Sequence, residues 1–266
     1  MPKETLKENI LKEIKKTGYP HELKVSYFLK NNKYFVANNL YYIDHDEGKG
    51  REVDIRALKN IEFRIREQNH YVRLCLLIEC KKSKKDKPWV VFTSEQTIYD
   101  KAFYELDYKG IAPGFDLLEA DKLMDDLALI HPPVGYERLG RSFFEPFKGY
   151  EERGTIFKSL TTSVKATIAM RDTKFGAGKR SICFYYPVII FDGVLFEAYL
   201  KDDDIKVEEV DMVMASFFYE SPKYKEEQFL VPILNEGALK NYFSELDEIH
   251  KIFGNFFKKH FEGFIH

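Results

Sequence analysis

The sequence predicts an α/β protein in which helices and strands share one core. Two amphipathic helical patterns open the chain, and runs of apolar, β-branched and aromatic residues with the length of strands follow them. Helical and strand-like segments then alternate as far as the C-terminus. This order of elements is typical of helices packed against a sheet. Because no internal repeat and no Gly/Ser-rich linker interrupts the sequence, we treat residues 1–266 as a single domain.

The first part of the chain contains two predicted helices followed by three predicted strands. The first helix covers residues 3–17 and ends at Gly18, and its apolar face is formed by Leu6, Ile10, Leu11 and Ile14. A second helix begins near Pro20, a residue favoured in the first turn, and ends at Asn31. The strands are expected at residues 33–43, 51–58 and 71–80, with a polar turn before the second and a charged connection before the third.

The rest of the chain alternates between helical and strand-like patterns. A basic loop and a short apolar run at 89–92 lead into predicted helices at 95–105, 116–129, 155–171 and 236–257. Residues 135–154 have the composition of a loop. The dipeptide Asp192-Gly193 lies between two apolar runs and predicts a hairpin of strands 182–191 and 194–200. Further strands are expected near 207–218 and 228–234.

Composition and charge limit the classes of function. Apolar residues make up 44% of the chain, and no apolar run reaches the roughly 18 residues of a membrane span, so we expect a soluble protein that does not bind membranes. Three cysteines fit neither a disulfide framework nor a zinc-binding spacing, which is expected of a reduced, cytoplasmic protein. The net charge of -2 excludes a generally basic nucleic-acid binder. Residues 1–100 nevertheless carry 20 Lys and Arg against 15 Asp and Glu, which is compatible with a local phosphate-binding face.

Two acidic residues lie in predicted strands at positions where they would not stabilise an apolar core. Asp54 lies inside the predicted strand 51–58. Glu79 follows the apolar run Leu74–Ile78 near the end of the predicted strand 71–80. A carboxylate at the end of a strand buried on both faces needs a partner, because an unpaired buried charge is costly. Carboxylate oxygens are the ligands that Mg²⁺ prefers, and the backbone carbonyl of Cys80 would add another oxygen. We therefore expect Asp54, Glu79 and Cys80 to bind Mg²⁺, with Mn²⁺ as a substitute.

Lys81 and Glu22 complete the candidate site. Lys81 follows Glu79 by two residues, so both side chains project from the same face of a strand. The Lys81 ammonium is suited to orient or help deprotonate an attacking water and to offset negative charge. Glu22, on the second predicted helix, is a further acid that would act through water or a second metal. Such a set of groups around Mg²⁺ is suited to phosphodiester hydrolysis.

The tripeptide pattern alone is weak evidence for this site. Asp/Glu-x-Lys occurs seven times in the chain, and only the copy at Glu79 follows a strongly apolar run and has a strand-embedded Asp 25 residues before it. The competing interpretation is that Asp54 faces solvent on an edge strand while Glu79 pairs with Lys81 or Lys82. The context of the two acids favours the metal site over this interpretation.

These residues resemble the PD-(D/E)xK nuclease superfamily, which has the restriction-endonuclease-like fold. The similarity covers about residues 18–100 and rests on Glu22, on Arg51-Glu52-Val53-Asp54-Ile55 and on Ile78-Glu79-Cys80-Lys81. Val53 stands where the motif name has proline. The resemblance implies a motif-bearing core at about 18–105, with a mixed β-sheet flanked by helices. Additional C-terminal strands and helices would complete the fold or form a dimer or substrate surface.

The resemblance also implies roles for individual residues. Asp54 and Glu79 would bind Mg²⁺, Lys81 would be the catalytic lysine, and Glu22 would be the acid of the first core helix. The implied activity is cleavage of nucleic acid, usually DNA. A matching subfamily is not identified.

Basic residues beside these acids are candidate contacts to a nucleic-acid backbone. Five lysines lie between Lys81 and Lys87, directly after Glu79. We expect three lysines of this loop, Lys82, Lys84 and Lys85, to contact phosphate. We expect the same of Arg51, which opens the predicted strand 51–58. A solvated turn and a solvated arginine are the competing interpretations.

The sequence therefore predicts a metal-dependent nuclease, most simply a DNA endonuclease of a restriction, defence or repair type. The alternative on the same fold is a catalytically inactive nucleic-acid-binding module. A third interpretation is an interaction protein whose acids are structural. No helix-turn-helix or zinc-finger signature identifies a reader domain, so the form of the substrate and the sequence specificity stay open. Cutting of both strands would favour a homodimer.

Overall fold

The computed structural model describes residues 5–65, 67–84, 86–95, 108–111, 137–149, 154–173 and 181–263. At 108–111, 225 and 260–263 only the backbone is described. The predicted helix at 116–129, all but the first residue of the predicted helix at 95–105, and Lys85 lie outside these ranges.

Four helices and eleven strands make up the described chain. The helices are α1 (Leu6–Lys16), α2 (Tyr19–Asn31), α3 (Thr155–Asp172) and α4 (Leu239–Gly263). The strands are β1 (Phe35–Asp44), β2 (Lys49–Ile65), β3 (Gln68–Lys82), β4 (Trp89–Glu95), β5 (Tyr108–Ile111), β6 (Arg138–Phe144), β7 (Ser181–Asp192), β8 (Leu195–Lys201), β9 (Asp204–Glu209), β10 (Met212–Ser221) and β11 (Tyr224–Leu234). None of these four helices is long and apolar enough to cross a membrane.

Local signals explain where the two N-terminal helices begin and end. Thr5 and Glu8 form a capping box, in which the Thr5 hydroxyl accepts from the Glu8 amide and the Glu8 carboxylate accepts from the Thr5 amide. The Thr17 amide donates to the Ile14 carbonyl and ends α1. Pro20 lies in the first turn of α2, where its missing N–H costs no helical hydrogen bond.

The strands form one mixed sheet. Its order is β1-β2-β3-β7-β11-β10-β6-β4-β8-β9, and β5 pairs with β7 outside this path. β1, β2 and β3 are antiparallel neighbours, whereas β3 is parallel to β7 and β7 is parallel to β11. The predicted α/β class is confirmed, since a large mixed sheet carries helices on its faces.

β3 lies at the centre of the core and is buried on both faces. Leu74, Leu76 and Ile78 pack on the face that α2 and α4 cover. Cys75 and Leu77 pack on the opposite face, against α3. β2 and β7 pair with β3 on either side, so the strand has no free edge along most of its length. A polar side chain near the end of this strand therefore has little access to water.

Several predicted strand boundaries and one predicted pairing are wrong. The charged connection expected between residues 58 and 71 belongs to a continuous β2–β3 hairpin, and β6 lies within the stretch that has a loop composition. The strand expected near 207–218 is two strands, β9 and β10. β7 and β8 do not form the predicted hairpin within the described strands, because β7 pairs with β3 and β11 while β8 pairs with β4 and β9. The Asp192-Gly193 signal thus marks a bend between two strands that do not share a ladder.

β1 and β2 change faces at Asn39 and Asp54. Val53 packs toward α3, whereas Ile55 packs on the opposite face with α2 and α4. Residues two apart in a regular strand share a face, so the alternation of β2 breaks at Asp54. Asn39 lies opposite in β1 and has a φ of 50°. Asparagine tolerates this left-handed conformation better than most residues, which allows the pair of strands to change faces together.

We expect Asn39→Val to lower the free energy of unfolding by about 1–2 kcal/mol, because a β-branched residue is disfavoured at positive φ. Asn60→Val is the matched control, since Asn60 is an exposed residue in the regular part of β2. Urea unfolding of both variants would test the expectation. Equal stability of Asn39→Val and the parent chain would contradict it.

Candidate metal centre

β2 and β3 separate at Asp54. The ladder between the two strands starts at the pair Ile55–Ile78, and the part of β2 before it pairs with β1 alone. The backbone amide of Cys80 donates to Asp54 Oδ2 at 2.7 Å. The Asp54 carboxylate therefore takes the place of a strand partner and lies in the gap at the end of β3.

Glu79 and Lys81 lie beside this gap on the same face of β3. Lys81 Nζ donates to Glu79 Oε1 and lies 3.7 Å from Asp54 Oδ2. The Glu79 side chain is only 6% exposed, compared with 22% for Asp54 and 29% for Lys81. The structure thus brings two carboxylates and one ammonium together, with the ammonium between the acids.

Glu22 approaches the same place from α2. His21, the preceding residue, is buried, and its Nε2 lies 3.1 Å from the carbonyl oxygen of Ile190. Ile190 is the residue of β7 that pairs with Cys80. This contact positions the first turn of α2 at the level of the acids, and the electrostatic influence of both Asp54 and Lys81 reaches Glu22.

Burial dominates the electrostatics of the site. Burial raises the pKa of Glu79 to about 7, with Lys81 opposing the shift and Asp54 adding to it. Burial and then Asp54 raise the pKa of Glu22. Burial alone would lower the pKa of Lys81, but Glu79 and Asp54 outweigh it and raise that pKa. Lys81 is therefore an ammonium at neutral pH, and it lies beside an acid, Glu79, whose ionised form burial disfavours.

Cys80 contributes its backbone and not its thiol. The side chain packs in the cluster that α2 and α4 form with β3, and burial followed by Asp54 raises the pKa of the thiol well above its usual range. The amide and the carbonyl of one residue in an extended strand point to the same side. Because the Cys80 amide donates to Asp54, the Cys80 carbonyl faces the same gap.

The donor set fits a hard cation such as Mg²⁺. Glu79 Oε2 is buried and has no hydrogen-bond partner among the described residues. An unpaired carboxylate oxygen at this depth is costly, and a cation would relieve that cost. Two carboxylates and a carbonyl fall within the protein ligands that Mg²⁺ uses alongside water. Over the described ranges no three His, Cys, Asp or Glu side chains are grouped to bind a metal ion, so Glu22 does not complete a three-carboxylate cage.

The predicted phosphate contacts occupy different environments. Lys82 lies on the face of β3 opposite to Lys81, and its Nζ donates to the Lys15 carbonyl at 3.2 Å. Lys84 is exposed in the turn that follows. Arg51 donates to Asp44 at 2.9 Å and to Glu47 at 2.5 Å within the β1–β2 turn. A phosphate contact from Arg51 would therefore compete with two ion pairs.

Sequence reasoning did not identify α1 as a neighbour of the site. The contact between Lys82 and the Lys15 carbonyl joins residues 67 positions apart. No local pattern predicts such a contact, because the amphipathic pattern of α1 indicates a helix without indicating where it packs.

Comparison of the chain with protein-family models, with curated proteins and with solved structures found no match in any of the three. The geometry of the site therefore carries the functional argument.

We expect Glu79→Gln to stabilise the protein at pH 8 by about 2–3 kcal/mol relative to the parent chain. The folded protein binds the Glu79 proton up to pH about 7, whereas the unfolded chain releases it near 4.5. The folded state thus holds more protons between these values, so the free energy of unfolding falls as the pH rises through this window. Glutamine does not titrate, so the variant does not lose this free energy of unfolding as the pH rises. Urea unfolding at pH 5 and pH 8 would show a difference that grows with pH.

Glu145→Gln is a control of opposite sign. Glu145 is also buried, but hydrogen bonds from Lys148 and the Ile156 amide outweigh burial and lower its pKa. Its ionised form is favoured by folding, so this variant should be less stable than the parent chain at pH 8. A Glu79→Gln variant that behaved in the same direction as Glu145→Gln would contradict the expectation.

Proposed function

We propose that this chain is a metal-dependent phosphodiesterase with a restriction-endonuclease-like core that hydrolyses nucleic acid, with DNA as the substrate. The observation that carries the proposal is the buried carboxylate of Glu79, whose Oε2 has no partner among the described residues although Asp54 and Lys81 lie beside it. Glu79 lies at the point where β2 and β3 separate and where the Asp54 carboxylate accepts from the Cys80 amide.

A second buried acid, Asp44, supports this interpretation by contrast, because its hydrogen bonds are complete. Asp44 is 2% exposed, and its two oxygens accept from the amides of Asp46 and Glu47, from Arg51 and from Lys165. Asp44 is thus satisfied inside the protein, as a structural acid should be. Glu79 is equally buried and lacks this saturation, which favours a functional role over a structural one.

Each group has a distinct role in the proposed reaction. Asp54, Glu79 and the Cys80 carbonyl would bind Mg²⁺ or Mn²⁺, and the bound ion would polarise a phosphoryl oxygen and lower the pKa of a water. Lys81 remains an ammonium beside both acids, so it offsets the charge of the phosphate and orients the water. Glu22 would accept a hydrogen bond from that water from the side of α2.

The test is a nuclease assay on plasmid, linear duplex and single-stranded DNA with Mg²⁺ or Mn²⁺. We expect metal-dependent cleavage that EDTA abolishes and that Lys81→Ala reduces at least about 100-fold, because the variant loses the positive charge beside the phosphate. Lys148→Ala is the matched control, since it removes another lysine that pairs with a buried acid, Glu145, away from the site.

The outcomes separate the nuclease from its alternatives. Cleavage that survives Lys81→Ala would contradict the assigned role of Lys81. Metal binding without cleavage of any DNA would favour the inactive nucleic-acid-binding module. Absence of both would favour structural acids.

Metal-dependent thermal stabilisation tests the site without relying on turnover. We expect saturating Mg²⁺ or Mn²⁺ to raise the melting temperature by about 2–6 °C, because a ligand that binds only the folded state stabilises it. Asp54→Asn should abolish this rise. Asp44→Asn should lower the melting temperature in the absence of metal but keep the rise, because its carboxylate serves internal donors. An equal rise in Asp54→Asn and the parent chain would place the metal elsewhere.

A further inference from the structure

Lys82 connects α1 to the strand that carries the acids. Its Nζ donates to the Lys15 carbonyl at 3.2 Å and lies 4.0 Å from Asp192 Oδ2 at the end of β7. Lys82 directly follows Lys81, on the opposite face of β3. The last turn of α1 therefore lies at the end of the sheet where Asp54 and Glu79 lie.

The connection between α1 and α2 lies beside Glu22. The Glu22 amide donates to the Gly18 carbonyl at 3.2 Å, and a Cβ added at Gly18 would lie 3.4 Å from Glu22 Oε1. The connection after α1 is thus close to the helix acid, and the last turn of α1 is close to Lys82.

This turn presents lysines to solvent. Lys15 and Lys16 are exposed. The ion pair of Lys16 with Glu13 is also highly exposed, so it contributes little to stability, and a phosphate would displace Glu13 from Lys16. Lys84 is exposed in the turn after Lys82. We name this group the lysine rim: Lys15, Lys16, Lys82 and Lys84. No described residue of α1 is buried, so packing of the core does not explain the position of this helix.

We propose that the lysine rim binds the phosphate backbone of the nucleic acid on the α1 side of the acids, and this proposal rests on the proposed function. The acids of the site outnumber its one ammonium, so cations around the site would favour the approach of a polyanion. Lysines at the junction of α1, α2 and β3 supply that attraction through phosphate contacts that do not depend on base sequence. α1 is then a wall of the substrate site.

Binding of a fluorescein-labelled DNA duplex, measured by anisotropy in Ca²⁺ buffer over a series of KCl concentrations, tests the proposal. Lys15→Ala/Lys16→Ala should weaken binding about tenfold at low salt and reduce the slope of log K against log salt by about 2, because two phosphate contacts are lost. The substitutions leave the Lys15 carbonyl that Lys82 contacts intact, and circular dichroism would verify folding.

Lys258→Ala/Lys259→Ala is the matched control. It removes two consecutive exposed lysines near the C-terminal end of an amphipathic helix, α4, with the same change of net charge. The neighbouring Phe257 contacts Phe184, which pairs with Leu74, in the half of β3 far from Glu79. We expect its affinity and salt slope to stay within twofold of the parent chain.

The outcomes are distinct from those of the nuclease assay. A parent chain that does not bind the duplex, an unchanged affinity of Lys15→Ala/Lys16→Ala, or an equal loss in the control would each overturn the lysine rim. A selective loss in Lys15→Ala/Lys16→Ala supports the rim even if the chain cleaves no DNA, in which case the nuclease proposal fails alone.

Discussion

The burial of β3 on both faces is the constraint on which the candidate site depends. α2 and α4 cover one face and α3 covers the other, while β2 and β7 occupy both edges of the strand. Glu79 continues this strand, so its carboxylate cannot turn to bulk water. The raised pKa of Glu79, its contact with Lys81 and its unpaired Oε2 all follow from that position. A carboxylate at the same sequence distance from the end of an exposed strand would have none of these properties.

The break in β2 gives the buried acid its neighbour. If β2 kept its alternation and its ladder with β3 beyond Ile55, the Cys80 amide would be satisfied by a backbone carbonyl. The change of face at Asp54 ends the ladder and puts a side-chain carboxylate in that place. Asn39, in the left-handed region opposite, allows β1 to follow. A local departure from regular strand geometry thus creates the gap that a regular sheet would close.

Local patterns predicted the helices and most strands of the described chain, and they predicted which acids to consider. α1, α2 and α3 begin and end within three residues of their predicted ranges, because caps, proline and apolar spacing act within one or two turns. The failures concern partners at long range. β6 and the β2–β3 hairpin contain many polar residues and form strands only because they pair with neighbouring strands. The dipeptide Asp192-Gly193 likewise does not indicate whether β7 and β8 pair with each other.

The amino-acid sequence by itself determined that β3 contains an apolar run from Leu74 to Ile78, that an acid and a lysine follow this run on one face, and that helices with defined caps precede the strand. Only the tertiary structure decided which acids have partners. Asp44 and Glu79 are both buried acids at the ends of strands, yet one is saturated by four donors and the other keeps an unpaired oxygen. The structure also placed the last turn of α1 against Lys82, at the end of the sheet that carries the acids. The reason is physical: caps and side-chain alternation are set by near neighbours, whereas saturation of a buried carboxylate depends on groups far away in the chain.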